Sequence, residues 1–250
     1  MSTPAPAAAT RTAVVTGSSR GLGAVIARRL AADGWAVAVN YVAGAASAEA
    51  VAAGIRENGG RAQAYRADIT DHDDVHALVA AAGADLGPVE VVVANATGPQ
   101  PGIAVEDLTW EDHLDQLRFF VQSPTLLVQA ALPTMKRLGT GRVVLVGSDM
   151  VGRALPRASA YTAAKAAQIG LVRSWSRELG PHGVTVNLVQ PGWVPVERHE
   201  GLETAAYEAE VPMGRMGTPE DVAGLIAYLT GDGAGFVTGQ QVTVNGGHTL

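Results

Sequence analysis

The chain has 250 residues, a length that forms one or two domains and buries most of its unfolded surface without a metal or disulfide staple. It contains no cysteine, which excludes disulfides and thiolate chemistry. A net charge of −6, from 18 Lys and Arg against 24 Asp and Glu with no basic block, argues against nucleic acid as a partner.

Met1–Thr10 is small residues and proline, with no basic or long apolar stretch. It reads as a disordered leader and not as a secretory signal, so a cytoplasmic protein is expected. Ala13–Thr16 is a first strand, and a helix follows from Gly21 to Asp33 with Leu22, Ile26 and Leu30 on one face. Ala36–Tyr41 is a second strand, Ala45–Glu57 a helix ended by Asn58-Gly59-Gly60, and Ala62–Arg66 a more polar third strand. Thr70 or Asp71 caps a helix running to Leu86. Val89–Ala94 and Arg142–Gly147 are apolar strands. Between them a helical pattern extends from Trp110 to Leu138, in which Pro124 and Pro133 should each kink or break the helix. A second long helix covers Ser159–Leu179 and stops at Gly180-Pro181. Val184–Val189 and Gln241–Val244 are the sixth and seventh strands. No apolar run approaches the roughly 20 residues that span a bilayer, so no membrane partner is expected.

Continuous apolar strands alternating with helices predict an α/β fold: a three-layer, doubly wound parallel sheet of about seven strands. No linker or repeat divides it, so residues 11–250 read as one domain. Ligands of such sheets lie beyond the carboxyl ends of the strands.

The first strand runs into Thr16-Gly17-Ser18-Ser19-Arg20-Gly21-Leu22-Gly23. Glycines there let a pyrophosphate approach the backbone, and the following helix offers free N–H groups and a positive dipole end. Gly17, Ser19, Arg20, Gly21, Leu22 and Gly23 are therefore candidate cofactor contacts, although glycines also serve plain turns. The second strand ends in Asn40-Tyr41, without the acid that would bond a ribose 2′-hydroxyl and repel a 2′-phosphate. Arg20 is placed to meet that phosphate, so NADP(H) is expected over NAD, with acidic replacement of Asn40 as the reversing change. Asp68-Ile69 after the third strand can face an adenine, and Asp68 can equally cap a helix. Asn95-Ala96 ends the fourth strand, where Asn binds the cofactor or ties down the turn.

Ser148 follows the fifth strand. Tyr161 and Lys165 lie four residues apart, on one face of the next helix. A cation beside a tyrosine favours the phenolate and lowers its ordinary value near 10. With Ser148 bonding a substrate oxygen, the three suit hydride transfer to a carbonyl carbon with Tyr161 as general acid. Taken alone, the Tyr-Lys spacing is equally that of a core tyrosine and a surface lysine.

Together these motifs make the chain resemble a short-chain dehydrogenase/reductase from about Arg11 to His248. They are the glycine turn, Asn95-Ala96, Ser148, Tyr161-Thr162-Ala163-Ala164-Lys165, Asn187 within Val186-Asn187-Leu188, and Pro191-Gly192. The resemblance implies a Rossmann fold and a Ser-Tyr-Lys site whose lysine also binds the nicotinamide ribose. It also implies that Pro191, Gly192 and the Val194 backbone run along the nicotinamide. The ending Thr238–Gly247 is most similar to bacterial 3-oxoacyl-acyl-carrier-protein reductases. Many relatives are tetramers, so a homotetramer or homodimer is expected.

Three departures stand out. The family's relay Asn in the long fourth helix is missing. Counting back from Ala131-Leu132-Pro133 puts Phe120 there, and counting forward from Trp110 puts Leu117. Thr97 replaces a glycine beside the nicotinamide pocket. The segment Pro191–Glu197 lacks a threonine that often contacts the carboxamide. The expected substrate is a small carbonyl compound, carrier-bound or free, held between Ser148–Leu155 and a mobile lid at 193–213. Met150 and Trp193 would form its apolar wall. Arg153, Glu197, Arg198 and His199 could contact a polar substrate, although loop charges are usually just solvated. His182, His199 and His248 lack companions at metal-ligand spacing, so no metal is expected. Two other readings stay open: an alcohol or sugar dehydrogenase running oxidatively, and a non-catalytic nucleotide-binding regulator.

Overall fold

The computed structural model describes residues 11–249, so the leader expected at 1–10 lies outside the described residues. Seven strands are seen among them, all parallel, in the order β3-β2-β1-β4-β5-β6-β7. They are β1 (Thr12–Val15), β2 (Ala36–Tyr41), β3 (Arg61–Arg66), β4 (Val89–Ala94), β5 (Gly141–Val146), β6 (Val184–Pro191) and β7 (Gln241–Val244). Parallel strands buried on both faces need apolar side chains at every position, which is what Ala13-Val14-Val15 and Val91-Val92-Val93 provide.

Alternation along each strand sends successive side chains to opposite layers. Ala13 and Val15 pack with α1 (Gly21–Ala32), α2 (Ala45–Glu57) and α9 (Pro219–Thr230). Val14 packs with α3 (His72–Leu86), α5 (Ser123–Leu138) and α7 (Ser159–Leu179) on the other face. The result is a three-layer Rossmann-type fold, with its crossover reversal between β1 and β4. The crevice for a ligand opens at that reversal, beyond the strand ends.

Two points of the sequence reading need correction. The pattern from Trp110 to Leu138 is not one kinked helix. It is α4 (Trp110–Leu117), a π-helical turn at Arg118–Gln122, and α5. Pro124 has no N–H to give the Phe120 carbonyl, and the Ser123 N–H reaches back five residues to the Arg118 carbonyl. Pro133, by contrast, leaves α5 unbroken. The carbonyl it cannot serve belongs to Gln129, an exposed residue that water can satisfy. The other correction is α9, which no expectation covered. Its signal was legible: Thr218 caps the Asp221 N–H, Asp221 returns the bond, and Pro219 opens the helix. The short helices α6 (Met150–Arg153) and α8 (Ala205–Glu210) lack a full apolar period and were also unforeseen.

Candidate active site

The cleft beyond the strand ends has a volume of about 1290 Å³. At one end lie Gly17, Ser19, Arg20, Gly21, Leu22 and Gly23, with Asn40, Tyr41, Asp68 and Ile69 beside them. Asn95, Ala96, Ser148, Tyr161, Lys165, Pro191, Gly192 and Val194 line its middle, and Met150 and Trp193 its far end. Every residue singled out from the sequence for this site therefore borders one cavity.

The turn after β1 is built for close approach. Gly17 has φ +62°, and a Cβ there would come within 2.9 Å of the Ala96 Cα. A Cβ on Gly23 would overlap the Gly17 carbonyl. Backbone without side chains at the head of a 12-residue helix suits a phosphate-bearing nucleotide. Asn95 is committed to this turn: its Nδ2 donates to the Thr16 carbonyl at 2.9 Å. Its backbone N–H and that of Ala96 both donate to the Thr16 hydroxyl at 3.0 Å.

Asn40 also differs from its expected part. Its side chain is buried, accepting from the Gly17 N–H at 3.1 Å and donating to the Ala67 carbonyl at 3.0 Å. The amide thus braces the glycine turn, and the half-exposed Tyr41 beside it packs partly on the core and borders the cleft. Asp68 is not a helix cap. It borders the cleft, while its Oδ1 accepts from the Thr70 N–H and hydroxyl. Asp71, not Thr70, caps α3.

Ser148 is buried, and its Oγ accepts from the Met150 N–H at 3.2 Å. Tyr161 and Lys165 project from the first turns of α7. The Lys165 Nζ donates to the Val146 carbonyl at 2.6 Å. Burial pushes its ammonium down to about 7. Two aromatic faces oppose that loss of charge: Phe120 with its centroid 3.8 Å away and Tyr161 at 5.7 Å. Phe120 also meets Tyr161 edge-on at 5.4 Å. Of the two candidates for the missing Asn position, Phe120 is thus the one at the site, carried inward by the π turn.

Asn187, a member of the motif set, lies away from the cleft. Its amide donates to the Val237 carbonyl and accepts from the Gln240 N–H, joining β6 to the C-terminal segment. Sequence reasoning missed Tyr207, whose hydroxyl accepts from the Trp193 N–H at 2.9 Å and whose ring stands edge-on to Trp193 at 5.4 Å. Of the loop charges that the sequence left between substrate contact and plain solvation, Arg153, Glu197 and His199 all border the cleft. Glu197 accepts a long bond from the Gly21 N–H, at 3.4 Å. The Arg198 side chain lies outside the described residues. Among the described residues no group of His, Asp and Glu could hold a metal, and no helix is long and apolar enough to cross a membrane.

Comparison with known proteins agrees with this architecture. The family described as Enoyl-(Acyl carrier protein) reductase matches residues 17–249. The 3-oxoacyl-acyl-carrier-protein reductase FabG of Staphylococcus aureus is 35% identical over 243 residues, covering 95% of this chain and 98% of that protein. Cis-4-hydroxycyclohexanecarboxylate dehydrogenase of Sinomonas cyclohexanicum is 37% identical, with 96% and 97% covered. Among solved structures, a Serratia marcescens short-chain dehydrogenase/reductase variant superposes with a TM-score of 0.89 at 36% identity, over 96% of this chain and 98% of that one. A metagenomic blue fluorescent protein in complex with NADPH gives the same TM-score and coverage at 35% identity. With nearly full-length matches to sequence and fold, this chain belongs to the short-chain dehydrogenase/reductase family.

Proposed function

We propose that the chain is an NADPH-dependent ketoreductase that converts a ketone to an alcohol. The observation that carries this reading is the meeting of Ser148, Tyr161 and Lys165 on the cleft opened by the glycine turn.

Gly17, Ser19, Arg20, Gly21, Leu22 and Gly23 would hold the pyrophosphate and 2′-phosphate, with Tyr41 beside them. Asp68 and Ile69 would face the adenine. Asn95, Ala96, Tyr161, Lys165, Pro191, Gly192 and Val194 would hold the nicotinamide half. A reduced nicotinamide bound there supplies the hydride for the carbonyl carbon.

Ser148 donates a hydrogen bond to the carbonyl oxygen and fixes its position. Tyr161 gives its phenolic proton to that oxygen as negative charge develops there. The Lys165 ammonium stabilises the resulting phenolate, and the Phe120 face helps keep that ammonium charged in a buried site. Water in the cleft returns a proton to Tyr161. The ketone has then gained a hydride at carbon and a proton at oxygen.

Loss of NADPH absorbance with a panel of ketones tests the reading, and no turnover with any ketone would overturn it. The activity for which the Sinomonas relative is named favours a second reading, oxidation of a hydroxy acid through the same groups. Running the assay with NADP and the alcohols decides the direction. Homotetrameric assembly belongs to the same proposal, and light scattering on the purified protein checks it.

A further inference from the structure

Charged groups at the substrate end of the cleft are nearly all engaged. Asp149 accepts from the Asn245 amide at 3.2 Å, and its Oδ2 lies 3.7 Å from the His248 ring. Glu210 meets the other nitrogen of that ring at 3.1 Å. Glu203 accepts from the Ala205 N–H at 3.0 Å. Arg157 clamps the Gly102 carbonyl through two nitrogens, at 3.0 and 3.2 Å.

Arg153 is the exception. It is half-buried and borders the cleft, and its backbone N–H donates to the Asp149 carbonyl at 3.0 Å, yet among the described residues its guanidinium makes no hydrogen bond and no ion pair, feeling the Asp149 carboxylate only through space. Its guanidinium lies over the Tyr207 ring at 5.0 Å, which orients the fork and leaves its N–H groups unused. A guanidinium takes a carboxylate through two parallel hydrogen bonds, and a partly desolvated one gains more from doing so than a solvated one. Arg153 also shares the four-residue α6 with Met150, directly after Ser148-Asp149. The short segment from Ser148 to Arg153 thus presents a hydroxyl at one end and a guanidinium without a hydrogen-bond partner at the other.

We infer that Arg153 anchors a substrate carboxylate, so that the substrate is a small keto acid with an apolar middle lying against Met150 and Trp193. This rests on the ketoreductase reading for its chemistry but not for its binding.

The test uses aliphatic keto acids, levulinate and its longer homologues, each against its own carboxamide. Titration calorimetry on the NADP-loaded enzyme reads binding, and NADPH absorbance reads turnover. The wild type should favour the acids by about tenfold or more in both. Arg153→Gln should raise KM for the acids roughly tenfold to a hundredfold with kcat little changed, and leave the carboxamides within about twofold. Arg153→Lys, which keeps the charge without the fork, should retain part of the preference and controls for lost stacking on Tyr207. Equal handling of acid and carboxamide by the wild type, or equal loss of both in Arg153→Gln, overturns the anchor. If no ketone turns over but acids still bind better through Arg153, the ketoreductase reading fails and the anchor stands.

Discussion

The Lys165 ammonium sits 3.8 Å from the centre of the Phe120 ring, on a helix turn opened by the proline that follows. A desolvated cation over an aromatic face gains on the order of 1–2 kcal/mol, about one pKa unit. Phe120→Leu keeps the burial and removes the quadrupole. Activity that needs the ammonium form should then decline with rising pH about one unit earlier than in the wild type. Phe120→Asn should change the rate without abolishing it. An unshifted alkaline limb of kcat/KM in Phe120→Leu would sink this account.

Tyr161→Phe tests the general acid. Loss of the proton donor should lower kcat by about 10²- to 10⁴-fold. Undiminished turnover would dismiss the mechanism.

Cofactor preference is assigned to Arg20 and Tyr41. Arg20→Ala should raise KM for NADPH by about tenfold or more and leave NADH nearly unaffected. Tyr41→Asp should shift preference toward NAD by repelling the 2′-phosphate. Asn40→Asp should act on stability instead. It sets a carboxylate against the Ala67 carbonyl, at a cost of about 1–3 kcal/mol and a fall of several degrees in Tm. A clean change of cofactor in Asn40→Asp with Tm unaltered would reverse these assignments.

Glu197 places a carboxylate at the Gly21 N–H, where the proposed pyrophosphate would lie. Its removal should help nucleotide binding. Glu197→Gln should tighten NADPH by a few-fold at low salt, with the gain fading as salt screens the charge. Weaker binding in the variant would make Glu197 a nucleotide contact and not a competitor.

Lys165 links pH to stability. Its folded value, about 7, lies below its ordinary 10.5. Between those values the unfolded chain binds more protons, so this group makes stability rise with pH across the window. Below it the burial penalty is complete. Lys165→Met has no such penalty, so its Tm advantage over the wild type should be largest near about pH 6 and shrink toward about pH 10. A pH-independent difference in melting would contradict the assignment.

Most of the fold was legible because parallel strands and amphipathic helices write their burial into local periodicity. β2, α2 and α7 have the bounds read from sequence, and β4 and β7 likewise. The glycine turn, Ser148, Tyr161 and Lys165 were equally readable, since their spacing is local and their strand-end positions follow from the alternation. α9 escaped notice although its cap was written in Thr218-Pro219-Glu220-Asp221.

The tertiary structure alone decided which side chains meet across elements. Phe120 and Leu117 were equivalent by counting, and the π turn settled which side chain faces Lys165. Asn40 looked like a cofactor selector until its amide was found bonded to Gly17 and Ala67, 23 and 27 residues away. Arg153 was either a substrate contact or a solvated loop charge by sequence, and only the packed structure showed it on the cleft with its neighbours engaged with one another. A sequence specifies local conformation residue by residue, but whether a polar group is satisfied depends on partners brought by distant segments, and that is known only once the chain has packed.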